Sequence, residues 1–202
     1  MQPVKRTTSI HPAYYFISGG LLLLVALGWA VLIASASDSN AGAFNFACPS
    51  AVLVLGAAAL FIGVRQQMVV SRVSRPEVNL SSQSPRVGET VTLSYQQTFR
   101  ARTAVKAIEF QLIRRESETH HSGKSEVTQT HDTIVQEHKL PAQTFEAGQS
   151  FQEQYPFQPQ GMHTFQANWH KVNWLIRARV ELDGLPAFSE EYPLQVSPET
   201  AE

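Results

Sequence analysis

The chain has 202 residues, with 16 lysines and arginines against 17 aspartates and glutamates and a formal net charge of −1. This balance gives no overall field of the kind that draws nucleic acid or a strongly acidic partner, so nucleic-acid binding is disfavoured. The single cysteine, Cys48, excludes an intrachain disulfide framework.

Two apolar runs stand near the start of the chain, at residues 14–34 and 44–64. Each has 21 residues without a charge, which as a helix would span about 31 Å and cross a hydrocarbon layer of about 30 Å. They predict a two-helix transmembrane hairpin over residues 14–64, surrounded by the lipid bilayer. Because neither run contains an ionisable side chain, the hairpin lacks the groups that move ions or protons.

Small residues recur at intervals of four in both runs: Ala26, Ala30 and Ala34 in the first, Ala59 and Gly63 in the second. Such spacing lets helix backbones approach closely, so the two helices can pack on each other. Docking onto another membrane protein is the alternative, although alanine and glycine are common in membrane helices in any case.

A cleaved signal peptide is the competing interpretation of the first run. Lys5 and Arg6 precede it, and the Ala-Ser-Ala sequence at residues 34–36 resembles a cleavage site. Signal sequences have apolar cores of about 7–15 residues, so the length of this run favours an uncleaved helix.

The charges around the hairpin predict its orientation. The connector, residues 35–43, carries only Asp38, and the basic residues lie outside it: Lys5, Arg6, Arg65, Arg72 and Arg75. The positive-inside rule therefore puts the tail (residues 1–13) and everything after the hairpin in the cytoplasm, with the protein integral to a bacterial plasma (inner) membrane. The arginines of the juxtamembrane linker, residues 65–75, are interpreted as a topology signal, since a lipid-recognition patch usually has about 4–8 basic residues.

From Pro76 onward, apolar and polar residues alternate, which is typical of strands with one buried face. Residues 90–99 alternate in this way with one polar exception, Gln97, on the apolar side. Residues 172–183, with Trp174 on the apolar side, predict a central strand.

Other segments complete the β pattern. Residues 108–112 predict a strand, residues 116–125 a polar hairpin loop, and residues 127–140 a long, solvated strand at a sheet edge. With the shorter segments included there are about eight strands, which predicts an all-β domain in residues 76–202, an antiparallel immunoglobulin-like β-sandwich.

Several turn and core positions of this domain share a pattern: Gly88-Glu89, Leu140-Pro141, Phe145 with Gly148, Phe157, Trp174-Leu175-Ile176 and residues 192–198. Together they resemble the arrestin-like branch of immunoglobulin-like sandwiches over residues 76–198. Arrestin-type proteins usually carry two such sandwiches, and this chain has room for one. The resemblance implies a non-catalytic protein-binding module, and a similar plan occurs in uncharacterised bacterial proteins with two membrane helices and a β-domain.

Seven histidines suggest a metal site, but their spacing does not support one. His131 and His138 are an odd number of residues apart, as are His163 and His170, which would put each pair on opposite faces of a strand. No cysteine or carboxylate pattern completes a zinc set. We therefore predict no metal site and no cofactor.

No catalytic residues are predicted either. The sequence has no GxSxG elbow, P-loop or dinucleotide-binding pattern, so we expect the chain not to be an enzyme. Trp169 and Trp174 are predicted core residues, because both lie on alternating apolar faces. A mixed-sign series on one strand is predicted to form a solvated sheet face: Arg177, Arg179, Glu181 and Asp183.

These predictions favour a membrane-anchored protein-binding module, an accessory or scaffold subunit that binds another membrane protein. Residues 127–139 are the candidate docking edge, unless charges such as Glu137 and Lys139 protect that edge from pairing. The competing function is an extracytoplasmic domain that binds a small ligand or polysaccharide, which needs the reverse topology. A third alternative is a membrane-bound hydrolase, and an essential serine or histidine in a pocket would distinguish it from the other two.

Overall fold

The computed structural model describes residues 2–3, 17–22, 24–25, 27, 44–122 and 125–199. These residues form two compact units. One lies within residues 10–70, and the other comprises residues 71–199 together with the strand Gln2–Pro3. The remaining positions of the first apolar run and the whole connector at residues 35–43 lie outside the described residues.

The first unit is built on helix α1, Phe44–Arg72. Among the described residues, α1 is the one helix long and apolar enough to cross a membrane, over Ala51–Arg72 with a mean hydropathy of 1.7. The second predicted run therefore lies in this helix. Within the predicted linker at residues 65–75 the helix continues to Arg72, because no proline or glycine interrupts the chain between Val64 and Pro76.

A close approach between the first apolar run and α1 occurs at Gly19. This residue is helical and buried, and a β-carbon there would lie 3.0 Å from Leu60 Cγ and 3.1 Å from the Gly56 carbonyl oxygen. Only glycine permits this separation without a shift of the neighbouring backbone. The predicted packing residue Gly63 is also buried on α1, whereas the predicted alanines of the first run lie outside the described residues.

The second unit is a β-sandwich of ten described strands. In chain order they are β1 (Gln2–Pro3), β2 (Glu77–Leu80), β3 (Val91–Thr98), β4 (Thr103–Ser122), β5 (Ser125–Leu140), β6 (Gln143–Phe145), β7 (Ser150–Phe157), β8 (Phe165–Gln166), β9 (His170–Leu182) and β10 (Phe188–Leu194). Sheet I has the order β1-β2-β3-β7, and sheet II has the order β10-β9-β4-β5, with β6 added to β4 and β8 to β9. All these pairings are antiparallel, as predicted.

The core lies between the two sheets and follows the predicted alternation. On β3 the side chains of Val91, Leu93 and Tyr95 are fully buried, and β9 lies between β10 and β4 as the predicted central strand. The polar exception Gln97 is also buried, because its Oε1 accepts a hydrogen bond from the Tyr95 hydroxyl at 2.7 Å and its Nε2 donates to the Ser74 carbonyl at 3.1 Å.

Two sequence predictions for this unit are wrong, and one further segment forms a strand that the sequence did not predict. Residues 116–122 belong to strand β4 rather than to a loop, because β5 pairs with them on one side and the start of β9 on the other. Within the predicted polar tail, Gln2–Pro3 forms β1 on β2. Trp169 is 51% exposed rather than in the core, since it lies in a bend just before β9 begins.

Candidate docking edge

Strand β5 forms one edge of sheet II along its whole length. It pairs with β4 from Leu140 opposite Ile108 to Ser125 opposite Ser122. Within residues 2–3, 44–122 and 125–199, no strand pairs with its other side. The predicted edge position of residues 127–140 is therefore confirmed, and its outer backbone groups are available to another strand.

The proximal half of β5, residues 136–140, is tied to its surroundings on both faces. On the outer face Glu137 accepts a hydrogen bond from Gln111 at 2.7 Å, and Lys139 pairs with Glu109. On the inner face Gln136 Nε2 donates to the Pro156 carbonyl of β7 at 3.0 Å. The charges that the sequence suggested as edge protection thus lie in this half alone.

The distal half of β5, residues 126–132, is exposed at every position. Its central stretch, residues 127–131 (Val-Thr-Gln-Thr-His), contains no proline, lysine, arginine or carboxylate. Natural edges are usually protected by such residues or by a covering element, and β-branched residues favour further pairing. The distal half is therefore the part of the edge suited to accept an extended segment.

A β-bulge at Val135 separates the two halves. Gln136 lies opposite Leu112 and Ile134 opposite Ile113, so β5 has one extra residue at this point. The bulge corrects the histidine argument, because His131 and His138 then lie on the same face, opposite Glu116 and Phe110. Their β4 partners are still six positions apart, about 20 Å along the strand.

No metal site emerges from the described part of the chain. None of its groups of three or more His, Cys, Asp or Glu side chains is placed to hold an ion. His163 lies outside any strand, so the face argument does not apply to it. The ring nitrogen Nε2 of His170 is 4.0 Å from a single carboxylate, that of Glu116.

A ring of four charged side chains on the outer face of sheet II joins the edge strand to the other three strands. Arg115 binds Asp132 through two hydrogen bonds, of 2.7 and 2.8 Å, and binds Glu191 at 3.0 and 3.1 Å. Arg177 contacts the same two carboxylates, at 2.9 Å and 2.7 Å. Each arginine therefore bridges β5 and β10, although these strands are separated by β4 and β9.

The charged ring shifts the ionisation of its carboxylates. The hydrogen bond from Arg115, followed by that from Arg177, holds the pKa of Asp132 at about 2. At Glu191 burial raises the pKa of the carboxyl group, but the hydrogen bonds from Arg115 and Arg177 outweigh burial and lower the pKa. Both carboxylates are thus charged at neutral pH, and the two arginines balance their charge.

The ring also covers apolar residues that the alternation pattern places on the outer face. Ile113 and Leu175 lie opposite each other there, yet they are buried. In the antiparallel register the pair Ile113–Leu175 lies between the positions of Arg115 and Arg177. The ion pairs that these arginines form across the sheet therefore pass over Ile113 and Leu175. The sequence could not reveal this ring, because its partners are 14 to 76 residues apart.

The rest of the predicted solvated face agrees with that description. Arg179 pairs with Glu181 at 2.7 Å, and Asp183 pairs with Lys106 at 3.1 Å. The latter pair lines a shallow groove of about 330 Å³ together with residues 142–144. Such exposed pairs contribute little to stability.

The comparisons with known proteins bear on the fold alone. No protein-family model matches the sequence, and no curated protein is similar to it in sequence. Among solved structures, it is similar to Spo0M, a sporulation control protein from Bacillus subtilis, with a TM-score of 0.52 at 13% sequence identity over 63% of this chain. The match spans half of the Spo0M chain. This likeness confirms the arrestin-like β-sandwich and carries the fold alone.

Proposed function

We propose that the chain is a membrane-anchored protein-binding module, an accessory or scaffold subunit whose partner adds an extended segment to the distal half of β5. The observation that carries this proposal is the exposed, uncharged edge at residues 127–131. Backbone hydrogen bonds of such a strand addition supply affinity, and alternate side chains supply specificity. Binding rather than catalysis is the role, in keeping with a fold of arrestin type.

Anchoring is supported by the surface of α1. Its candidate span is 17% buried, and large apolar side chains such as Val54, Leu55 and Phe61 are more than half exposed. A soluble helix would bury such a surface, whereas lipid accommodates it. Arg65 lies with its guanidinium 5.7 Å from the centre of the Phe61 ring, an arrangement suited to the edge of a bilayer.

Two membrane crossings are supported by strand β1. Gln2–Pro3 pairs with Asn79 and Leu80, so the start of the chain and the sandwich must lie on the same side of any membrane. The number of crossings between them is then even, and α1 supplies one of them. A second helix in the first apolar run satisfies this requirement, and cleavage near Ala36 would remove β1.

Cysteine labelling tests the topology. In a Cys48→Ser background, Ser39→Cys in the connector should react with an impermeant maleimide added to intact cells. Ser197→Cys, at the end of the sandwich, should react only after the cells are opened. The opposite pattern would contradict the cytoplasmic location and favour the extracytoplasmic ligand-binding alternative.

Photo-crosslinking tests the edge. A benzoylphenylalanine at Gln129 of the full chain should give a discrete adduct in native membranes, whereas the same probe at Ser189, exposed on β10, should not. Successive N–H groups of an edge strand point alternately to the neighbouring strand and to the open side. The probe is then moved to Thr128, and Gln129→Pro and Thr130→Pro are compared. One of these two prolines removes an N–H group that points to the open side, so that variant should lose the adduct without destabilising the sandwich.

The matched control is Gln129→Ala, which removes the side chain and keeps the N–H donor, so the adduct should persist. If the same partner is still captured after deletion of residues 71–202, the hairpin is the binding element and the proposal fails.

A further inference from the structure

Four exposed arginines meet at the end of the sandwich where the chain leaves α1: Arg72, Arg75, Arg100 and Arg102. We call this set the arginine end. Arg72 is the last residue of α1 and Arg75 lies three residues after it, whereas Arg100 and Arg102 follow β3. Only the fold brings them together.

Backbone contacts fix this convergence. The Arg100 N–H donates to the Arg72 carbonyl at 2.7 Å, and Val73 forms an antiparallel bridge with Phe99. The Ser74 N–H donates to the Thr98 carbonyl at 2.8 Å. The two segments therefore run side by side, and their arginines share one end of the domain.

Few carboxylates compensate these charges. Arg102 lies 3.4 Å from Glu146, in a pair whose side chains are 77% and 69% exposed. The described residues give no ion pair to Arg72, Arg75 or Arg100. Glu77 is the next acidic residue along the chain, so the arginine end keeps a net positive charge.

We propose that the arginine end binds the anionic headgroups of the phospholipids that surround α1. This inference rests on the membrane anchoring in the proposed function. Guanidinium groups bind phosphate in a two-point geometry, and basic residues near an anionic leaflet are attracted to its surface. The linker sequence alone offers three arginines, too few for a lipid-recognition patch, whereas the fold adds Arg100 and Arg102 and reaches the usual number.

Connectivity favours a lipid surface over another anionic partner. Arg72 is the last residue of the apolar helix, and its carbonyl accepts a hydrogen bond from the Arg100 N–H. Arg72 lies about 10 Å along the helix beyond Arg65, so the headgroup layer above Arg65 is within reach of the long arginine side chains without any further element. Sandwich contact with lipid would then depend on lipid charge and on salt.

The test uses the full chain in nanodiscs, with a fluorophore on Ala101→Cys in the Cys48→Ser background. A lipid carrying a spin label on its headgroup acts as the quencher. Quenching should be stronger in phosphatidylglycerol-containing discs than in phosphatidylcholine discs, and high salt should remove the difference. Arg100→Gln/Arg102→Gln should abolish the difference at low salt.

The matched control is Lys171→Gln/Arg179→Gln, which removes the same charge from exposed positions on β9 and should leave the lipid dependence intact. Equal quenching of the parent protein in both lipids, or equal behaviour of the two double variants, would overturn the proposal. Extraction of the full chain from membranes by alkaline carbonate would instead contradict the anchoring, and loss of the Gln129 adduct alone would contradict the docking edge.

Discussion

The β-sandwich has two regions that are built from the same strands but held together differently. In the body, between sheets I and II, strands β4 and β9 bury Phe110, Leu112 and Trp174. In the distal ribbon, where residues 116–122 of β4 pair with residues 125–131 of β5, none of the described side chains is buried. The body is stabilised by apolar burial and the ribbon by backbone pairing, so the ribbon can expose an edge without weakening the core.

The largest expected effect is in the body. Trp174 is 1% exposed, and its Nε1 donates to the Met162 carbonyl at 2.9 Å. Trp174→Ala should lower the free energy of unfolding by about 3–5 kcal/mol, because it leaves a large cavity. The measurement is denaturant unfolding of residues 71–202, which should fold alone as an all-β domain by circular dichroism.

Trp169→Ala is the matched control, since this tryptophan is exposed just before the same strand. It should change the unfolding free energy by about 0.5 kcal/mol or less. Equal effects of the two substitutions, or a helical spectrum for residues 71–202, would contradict the division between body and ribbon.

An intermediate effect is expected at the boundary between the two regions, where the charged ring holds β5. Asp132→Asn should cost about 1 kcal/mol at neutral pH, because its partners remain partly solvated and such pairs are individually weak. The folded-state pKa of Asp132 is depressed to about 2. Its contribution is therefore complete above the ordinary carboxyl pKa of about 4 and is lost as the pH falls through the folded value.

Unfolding of the parent domain should thus become easier between about pH 4 and pH 2, and Asp132→Asn should flatten this part of the profile. Asp183→Asn is the control, since its pair with Lys106 is more than half exposed. If both variants show the same profile, the ring does not couple β5 to the rest of sheet II.

The alternation of apolar residues was enough to predict the body. It predicts the buried face of residues 90–99 and the core position of Trp174, because a buried face imposes a period of two on any strand that covers it. The edge strand is predicted instead from its β-branched residues. The ribbon imposes no such period, so the polar sequence of residues 116–122 predicts a loop where the structure has a strand. Val135 shows the second limit, since a bulge shifts every face assignment beyond it and has no sequence signal here.

The charged ring and the arginine end could not be predicted either. Both join residues that are distant in the chain, and single-sequence periodicity contains no information on which strands become neighbours. Strand β1 shows the same limit, since two residues of a polar tail become a strand only because β2 presents a free edge to them.

The smallest effect is expected in the ribbon itself. Thr119 and Thr128 face each other with their hydroxyl oxygens 3.0 Å apart, and both are accessible to water. Thr128→Ala should lower the unfolding free energy of residues 71–202 by about 0.5 kcal/mol or less, since water replaces the lost hydrogen bond and cross-strand threonine pairs are weak. The same substitution should leave the crosslink at Gln129 intact, because strand addition uses backbone groups. A loss of stability comparable to that of Trp174→Ala would show that the ribbon belongs to the folding core, and the comparison between the two regions would fail.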